Sequence, residues 1–210
     1  MTTPPSRGPV VVVTNLKGGV GKTILATTIA EELKAHIVDL DPQGDAYDWA
    51  TRSGIITATK PDTLKDALAV VATARSRGPV VIDCPPGDIH AIRAALAVAN
   101  VAVIPTKAAM PDLRAVNQTV GLIKEVRAEI NRNLKVGIVL NEARFSTFLA
   151  KQAEAILPLI EKTHYLGHLG LRQAFVDAYS SGTAVHSGPA RRETKAMLEN
   201  LYPLLRRNKP

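Results

Sequence analysis

The stretch that decides the fold is PVVVVTNLKGGVGKT, residues 9–23. It joins a run of β-branched residues to a glycine-rich loop and then to a helical pattern. Glycines let a backbone curl so that its N–H groups point at phosphate oxygens, and the helix that follows adds the positive end of its dipole. The stretch therefore predicts a phosphate-binding loop, in which Lys22 reaches the β- and γ-phosphates of a nucleotide and the Thr23 hydroxyl ligates Mg²⁺.

Short apolar runs and helical patterns alternate along the chain. We predict strands over residues 9–14, 36–40, 79–83, 100–104 and 134–140, and helices over 23–34, 63–76, 89–97, 112–131 and 147–157. The strand runs are apolar throughout, which is typical of strands buried on both faces. The order predicts an α/β fold of the P-loop NTPase type, with three layers and a mainly parallel, twisted sheet flanked by helices. We expect one ATPase domain over residues 9–207, a flexible N-terminus over 1–8 and a tail over 208–210.

Acidic residues follow two of the predicted strands, at the edge where α/β sheets bind ligands. Asp83 ends the apolar run Val80–Ile82, a Walker B pattern, and is predicted to hold Mg²⁺. Asp39 and Asp41 end the second run, and strand alternation would place their side chains on one face. A carboxylate there can orient the water that attacks a phosphate. Asp39 can equally be structural and cap the loop with hydrogen bonds.

The charge balance points to anionic partners. Lys and Arg together number 26 against 19 for Asp and Glu, a net charge of +7. Residues 186–210 hold six basic residues and two acidic ones. A basic patch attracts nucleic acid or an anionic membrane, although a solvated helix face gives the same pattern. The one cysteine excludes an intramolecular disulfide and agrees with a reducing cytosol.

The phosphate loop departs from the generic pattern G-x-x-x-x-G-K-[ST], because Leu16 occupies the first glycine position and Lys17 follows it. In this the sequence resembles the ParA/MinD superfamily, whose deviant loop reads K-G-G-x-G-K-[ST]. Residues 39–49, DLDPQGDAYDW, resemble the small plasmid-partition ParA proteins called ParF-like, and residues 104–115 and 171–185 resemble further segments of them. The resemblance covers roughly residues 10–200.

The resemblance assigns roles to individual residues. It implies that Lys17 reaches across a nucleotide-sandwich dimer and that Asp41 positions the attacking water, so the predicted catalytic residues are Lys17, Lys22 and Asp41. Ile24 stands where many relatives carry a second Thr, which removes a hydroxyl contact to the α-phosphate. Asn141 either contacts adenine or closes a turn. The predicted residues for ATP or ADP are Gly18, Gly19, Val20, Gly21, Lys22, Thr23, Ile24 and Asn141, and those for Mg²⁺ are Thr23 and Asp83.

The resemblance also implies a function. We expect a Mg²⁺-dependent ATPase that hydrolyses ATP to ADP and phosphate and forms a homodimer with ATP. The ATP state would bind non-specific DNA and segregate plasmid or chromosomal DNA, and a ParB-type centromere-binding or adaptor protein would stimulate hydrolysis. The expected location is the cytoplasm, on the nucleoid. Binding to the phosphate backbone needs only basic side chains. The predicted DNA contacts are Arg172, Arg191, Arg192 and Lys195.

Other functions remain open at this stage. A MinD-like positioning ATPase would grip a membrane with a basic, amphipathic C-terminal helix. A ParA-like ATPase can also position a protein cargo, and P-loop folds serve ligases, kinases and scaffolds that do not hydrolyse ATP. The final helix, predicted over residues 189–207, carries an apolar face. We expect that face to pack on the body of the protein, which makes membrane binding the weaker interpretation; its residues are Met197, Leu198, Leu201, Leu204 and Leu205.

Overall fold

The computed structural model describes residues 7–144 and 146–206. The tail predicted over 208–210 lies outside the described residues, as does most of the N-terminal segment predicted over 1–8. Strands and helices alternate along the described chain. The strands are β1 (Val10–Val13), β2 (His36–Asp39), β3 (Ala58–Thr59), β4 (Val80–Asp83), β5 (Val101–Thr106), β6 (Lys135–Ala143) and β7 (His164–Gly170). The helices are α1 (Lys22–Leu33), α2 (Asp45–Ser53), α3 (Leu64–Ala74), α4 (Ile89–Val98), α5 (Met110–Glu129), α6 (Phe148–Ile156), α7 (Gln173–Ser180) and α8 (Gly188–Leu205).

The seven strands form one sheet in the order β3-β2-β4-β1-β5-β6-β7, and every neighbouring pair is parallel. This confirms the predicted α/β fold. Strand β1 lies in the middle of the sheet, between β4 and β5. The loop that follows β1 is therefore at the centre of the carboxyl edge, where parallel sheets bind their ligands.

Two hydrophobic cores lie on opposite faces of the sheet. Strand β1 contributes Val10 and Val12 to one core and Val11 and Val13 to the other, because successive strand residues point to opposite faces. Buried residues of α3, α4, α5 and α6 complete the first core, and those of α1, α2, α7 and α8 complete the second. This double burial explains why the strand runs are apolar throughout.

The sequence pattern missed both outermost strands. Strand β3 has only two residues, and β7 reads HYLGHLG, which mixes polar residues with glycine. Gly167 within β7 has φ 111°, and the pairing with β6 shifts register at two points. An irregular strand with one neighbour leaves little apolar periodicity to detect. The pattern also missed α7 and ended β6 three residues early, at Leu140 instead of Ala143.

Helix α8 packs its apolar face on the sheet, mainly against β7. Leu201 is fully buried, whereas Tyr202 beside it is 40% exposed. The buried residues of this helix are Ala190, Thr194, Met197, Leu198, Leu201 and Leu204, so most of the predicted apolar face is in the core. Within the described residues, no helix is long and apolar enough to cross a bilayer.

Shortening Leu201 to alanine tests this packing. We expect Leu201→Ala to lower the free energy of unfolding by about 2–5 kcal/mol, because it removes buried methyl groups and leaves a cavity. The matched control is Tyr202→Ala on the exposed face, with an expected loss below about 1 kcal/mol. Urea denaturation followed by circular dichroism measures both. Equal midpoints for the two variants would mean that α8 does not pack as described.

Candidate functional site

The phosphate loop runs from the end of β1 to the first residue of α1. Gly19 and Gly21 have φ values of 72° and 88°, in the left-handed region that favours glycine. Gly21 also has no room for a side chain, since a Cβ atom there would lie 2.1 Å from Nδ2 of Asn141. Backbone N–H groups in such a curl, ahead of a helix N-terminus, form a concave binding place for phosphate.

Side chains from distant parts of the chain hold the loop in this shape. Nδ2 of Asn15 donates to the Pro105 carbonyl (2.9 Å), and its Oδ1 accepts from the Lys17 N–H (2.9 Å). The Leu16 N–H donates to Oγ1 of Thr119 on α5 (3.2 Å). Sequence reasoning missed Asn15 and Thr119. An asparagine directly after a strand was a visible signal for the first, but Thr119 lies 103 residues from its partner.

Asn141 fixes the other side of the loop. It lies within β6, and its Nδ2 donates to the carbonyl oxygen of the buried Val20 (2.9 Å). The expectation that it follows the strand and closes a turn was wrong, because β6 continues through Ala143. A contact between Asn141 and adenine stays a prediction. Ile24, in the first turn of α1, is half-buried and packs against the core.

Lys22 places its ammonium beneath the loop. The residue is 7% exposed, and Nζ donates to the Lys17 carbonyl (3.2 Å). Burial lowers the pKa of Lys22, and the carboxylates of Asp83 and Asp41 oppose that shift. A buried cation gains from any anion that replaces its lost hydration. A phosphate group cradled by the loop would supply that negative charge.

Two carboxylates end neighbouring strands below the loop. Asp39 of β2 and Asp83 of β4 are register partners, and each is 1% exposed. Burial, and then the charge of Asp39, raise the pKa of Asp83 to about 8, whereas a hydrogen bond from Thr23 and the charge of Lys22 oppose the rise. Oδ1 of Asp83 has no hydrogen-bond partner within the described residues. A buried carboxyl oxygen without a partner can accept an electropositive ligand.

Mg²⁺ fits this arrangement. The Thr23 hydroxyl and the orphaned Asp83 oxygen are hard oxygen donors of the type that Mg²⁺ prefers. Among residues 7–144 and 146–206, no group of three or more His, Cys, Asp or Glu residues is arranged so that it could hold a metal ion. Protein side chains alone would therefore leave Mg²⁺ with an incomplete shell, and phosphate oxygens and water would complete it, as is usual for Mg²⁺ at nucleotide sites.

Asp39 serves the structure of the next loop. Its Oδ1 accepts from the Asp41 N–H (3.0 Å) and its Oδ2 from the Tyr47 N–H (2.9 Å) at the start of α2. Both oxygens thereby hold the backbone between β2 and α2, in agreement with the structural alternative for this residue. Burial raises the pKa of Asp39, and the backbone hydrogen bonds counteract that rise.

Asp41 lies in a turn beyond the end of β2. The alternation that placed Asp39 and Asp41 on one face of a strand therefore does not apply, because β2 ends at Asp39. Oδ1 of Asp41 accepts from the Gln43 N–H (3.0 Å). The residue is half-buried at a cavity of about 340 Å³, whose lining also includes Asp39 and Asp62. Its carboxylate is close enough to affect the pKa of Lys22.

Lys17 is bound within its own subunit. Its Nζ lies 2.6 Å from Oδ1 of Asp112, which is 4% exposed on α5. The sequence indicated a lysine that reaches out of the loop, but gave no partner for it within the chain. Because Asp112 is buried, loss of the ammonium would leave an uncompensated carboxylate in the interior. A contact of Lys17 with a second subunit would compete with Asp112 for the ammonium.

Two of the four residues predicted to contact DNA form ion pairs with carboxylates of the protein itself. Arg172 forms an ion pair with Glu193 (Nε–Oε2, 3.0 Å), and Arg191 pairs with Glu32 of α1. Arg192 and Lys195 are exposed and have no ion pair within the described chain. The sequence could not show which arginines have carboxylate partners, because these lie 21 and 159 residues away. These four residues therefore carry less uncompensated positive charge than the sequence indicates.

Most of this chain matches a known protein family. A family model described as the CobQ/CobB/MinD/ParA nucleotide binding domain matches residues 11–185, which confirms the resemblance to the ParA/MinD superfamily. The chain is 29% identical over 196 residues to Maintenance of carboxysome distribution protein A of Halothiobacillus neapolitanus, covering 88% of this chain and 89% of that protein. It is 29% identical over 185 residues to Chromosome-partitioning ATPase Soj of Thermus thermophilus, covering 70% and 74%.

Solved structures show the same fold. The ATP complex of a Cyanothece McdA variant superposes with a TM-score of 0.75 at 15% identity, covering 98% of this chain and all of that one. At this identity the likeness concerns the fold alone.

A methyl group at Gly21 tests the geometry of the loop. We expect Gly21→Ala to destabilise the nucleotide-free protein by more than about 1–2 kcal/mol, because of its left-handed backbone and the collision with Asn141. The matched control in the same loop is Gly18→Ala. Its Cβ would meet Pro86 at an ordinary 3.8 Å, so we expect a change within about 0.5 kcal/mol. Chemical denaturation without nucleotide measures both, and equal stabilities would contradict the described loop.

Proposed function

The chain belongs to the CobQ/CobB/MinD/ParA nucleotide-binding domain family, and on that premise we propose that it is a Mg²⁺-dependent ATPase that acts as a positioning switch. ATP closes two subunits into a homodimer, and hydrolysis to ADP and phosphate opens them. The observation that carries this proposal is the buried Lys22 beside the orphaned Asp83 oxygen, beneath a loop of left-handed glycines. Cation, carboxylate and N–H groups converge there as phosphoryl transfer requires.

Each residue has one task in the proposed mechanism. The loop N–H groups and Lys22 bind the phosphates and neutralise the charge that develops on them during transfer. Thr23 and Asp83 would hold Mg²⁺, which would neutralise further phosphate charge. Asp41 accepts a hydrogen bond from the attacking water and aligns it with the terminal phosphate. Asp39 keeps Asp41 in place through the hydrogen bond to its N–H.

Lys17 links nucleotide binding to dimer formation. In the isolated subunit its ammonium is neutralised by Asp112. In a closed dimer, the phosphates of the partner subunit's nucleotide compete for the same ammonium. A ligand shifts such an equilibrium only by its differential affinity for the two states. ATP carries one more phosphate than ADP, and it therefore favours the closed state more strongly.

The proposed dimer binds non-specific DNA and positions a cargo over the nucleoid in the cytoplasm. As the first candidate we propose a DNA cargo, plasmid or chromosomal, with a ParB-type partner that stimulates hydrolysis. The similarity to Chromosome-partitioning ATPase Soj supports the chromosomal cargo. The similarity to Maintenance of carboxysome distribution protein A, which extends over 89% of that protein, favours a protein cargo and an adaptor as the second candidate. A MinD-like membrane grip is disfavoured, because the apolar face of α8 is buried in the protein.

Replacing Asp41 tests the mechanism. We expect Asp41→Ala to keep ATP binding but to lower ATP turnover about 100-fold or more, because the attacking water loses its orienting group. The variant should then remain dimeric and bound to DNA in ATP. The measurements are steady-state phosphate release, nucleotide affinity and DNA retention.

The control is Asp62→Ala, since Asp62 lines the same cavity and is exposed. Its turnover should stay within about twofold of the unmodified protein.

Lys22→Ala should abolish nucleotide binding altogether. Normal phosphate release by Asp41→Ala would refute the assignment of Asp41.

A further inference from the structure

We propose that a groove at the amino ends of β6 and β7 binds the phosphate backbone of DNA. This inference rests on the proposed function, because it assigns the surface through which the ATP state holds DNA. The groove encloses about 790 Å³. We call it the basic groove, and its charged or titratable lining residues are Lys124, Arg127, Arg132, Lys135, Lys162 and His164. Sequence reasoning missed it, because these residues come from separate segments of the chain.

The basic groove has one sign of charge. Among the residues that the structure describes, five Lys or Arg side chains line it and no carboxylate does. Glu125 and Glu129, on the same helix as Lys124, are both engaged by Arg93 of α4 (3.0 and 2.6 Å). Glu161 is exposed next to Lys162 in the chain but does not line the groove. A concave surface lined by a single sign of charge focuses its field and attracts polyanions.

Two of the cations form a fixed frame for the groove. Nε of Arg127 donates to the Leu134 carbonyl (2.6 Å), and Nη1 donates to the Lys162 carbonyl (3.1 Å). Arg127 thus joins the loop before β6 to the turn before β7, where Lys162 has φ 60°. On the β6 side, Nζ of Lys135 donates to the Arg206 carbonyl (2.9 Å). The walls of the groove are therefore held together by side-chain hydrogen bonds.

The remaining cations are available to a ligand. Lys124, Arg132 and Lys162 are exposed, and none has an ion-pair partner within the described residues. Arg172 and Arg191 on the surface predicted from sequence are, in contrast, already neutralised. Non-specific DNA binding depends on the number of phosphates that cations neutralise, and it needs no group that reads bases. The basic groove meets this requirement better than the surface around α8.

The position of the basic groove bears on its control by nucleotide. It lies at the amino ends of the strands, whereas Lys22 and Asp83 lie at the carboxyl ends, so bound ATP does not touch it. Dimerisation instead doubles the number of grooves in each particle. Two linked weak sites on one polymer bind far more tightly than either site alone. DNA binding then depends on ATP because the ATP-bound dimer carries two grooves and the monomer carries one. No change of shape within the groove is needed.

The test removes the three available cations together. The groove variant is Lys124→Gln with Arg132→Gln and Lys162→Gln. The charge-matched control is Lys65→Gln with Lys151→Gln and Arg52→Gln, all exposed and outside the groove. A third variant, Arg192→Gln with Lys195→Gln, tests the surface on α8. Fluorescence anisotropy with a random-sequence DNA duplex, in ATP and in ADP across a salt series, measures affinity for each.

We expect the groove variant to bind DNA in ATP at least about tenfold more weakly than the control, with a salt slope shallower by about 3 for each groove that contacts DNA. Its ATP turnover without DNA and its ATP-dependent dimerisation should be unchanged, which shows that it is folded. Normal DNA binding by the groove variant, or a loss confined to Arg192→Gln with Lys195→Gln, would overturn this inference alone. Failure of the unmodified protein to bind DNA in every nucleotide state would overturn both the inference and the DNA step of the proposed function.

Discussion

One buried cation and two buried carboxylates meet at the carboxyl ends of the central strands, and the rest of the site depends on them. Burial lowers the pKa of Lys22 and raises those of Asp39 and Asp83. Groups so poorly solvated are fully ionised only where a countercharge replaces their lost hydration. The sheet register aligns Asp39 with Asp83, and the loop above them is fixed by Asn15 and Asn141. In the proposed function, a nucleotide with Mg²⁺ would supply the countercharges that these groups need.

In the proposed dimer, Lys17 extends these charge interactions to the second subunit. Its ammonium has one buried partner, Asp112, in the subunit described here. The proposed dimer offers a second partner, the phosphates across the interface. The Lys17 ammonium can therefore act as a switch between two anionic partners of similar chemistry. A small change in the charge of the nucleotide changes which of the two partners binds it more strongly. The basic groove is far from this edge of the sheet. Dimer formation would therefore affect DNA binding only through the number of grooves in each particle.

The parts of the structure that follow from local sequence were predictable. An apolar strand, a glycine loop and a helix adjoin in residues 9–23, so the position of Lys22 could be inferred directly. Contacts between distant segments could not be inferred: Asn141 reaches Val20 across 121 residues, and Arg191 reaches Glu32 across 159. The basic groove could not be predicted from the sequence for the same reason. Its cations come from α5, the β6 edge and the β7 edge, and α5 also carries Glu125 and Glu129, which mask the local charge.

The measurement that tests the central claim most directly is the mass of the protein in solution with ADP and with a non-hydrolysable ATP analogue, each with Mg²⁺. Sedimentation velocity on the unmodified protein and on Lys17→Ala gives this mass. The switch predicts a monomer with ADP and a dimer with the analogue, and a Lys17→Ala variant that binds both nucleotides but stays monomeric. The proposed switch would be contradicted if the unmodified protein had the same mass with both nucleotides, or if Lys17→Ala dimerised as well as the unmodified protein.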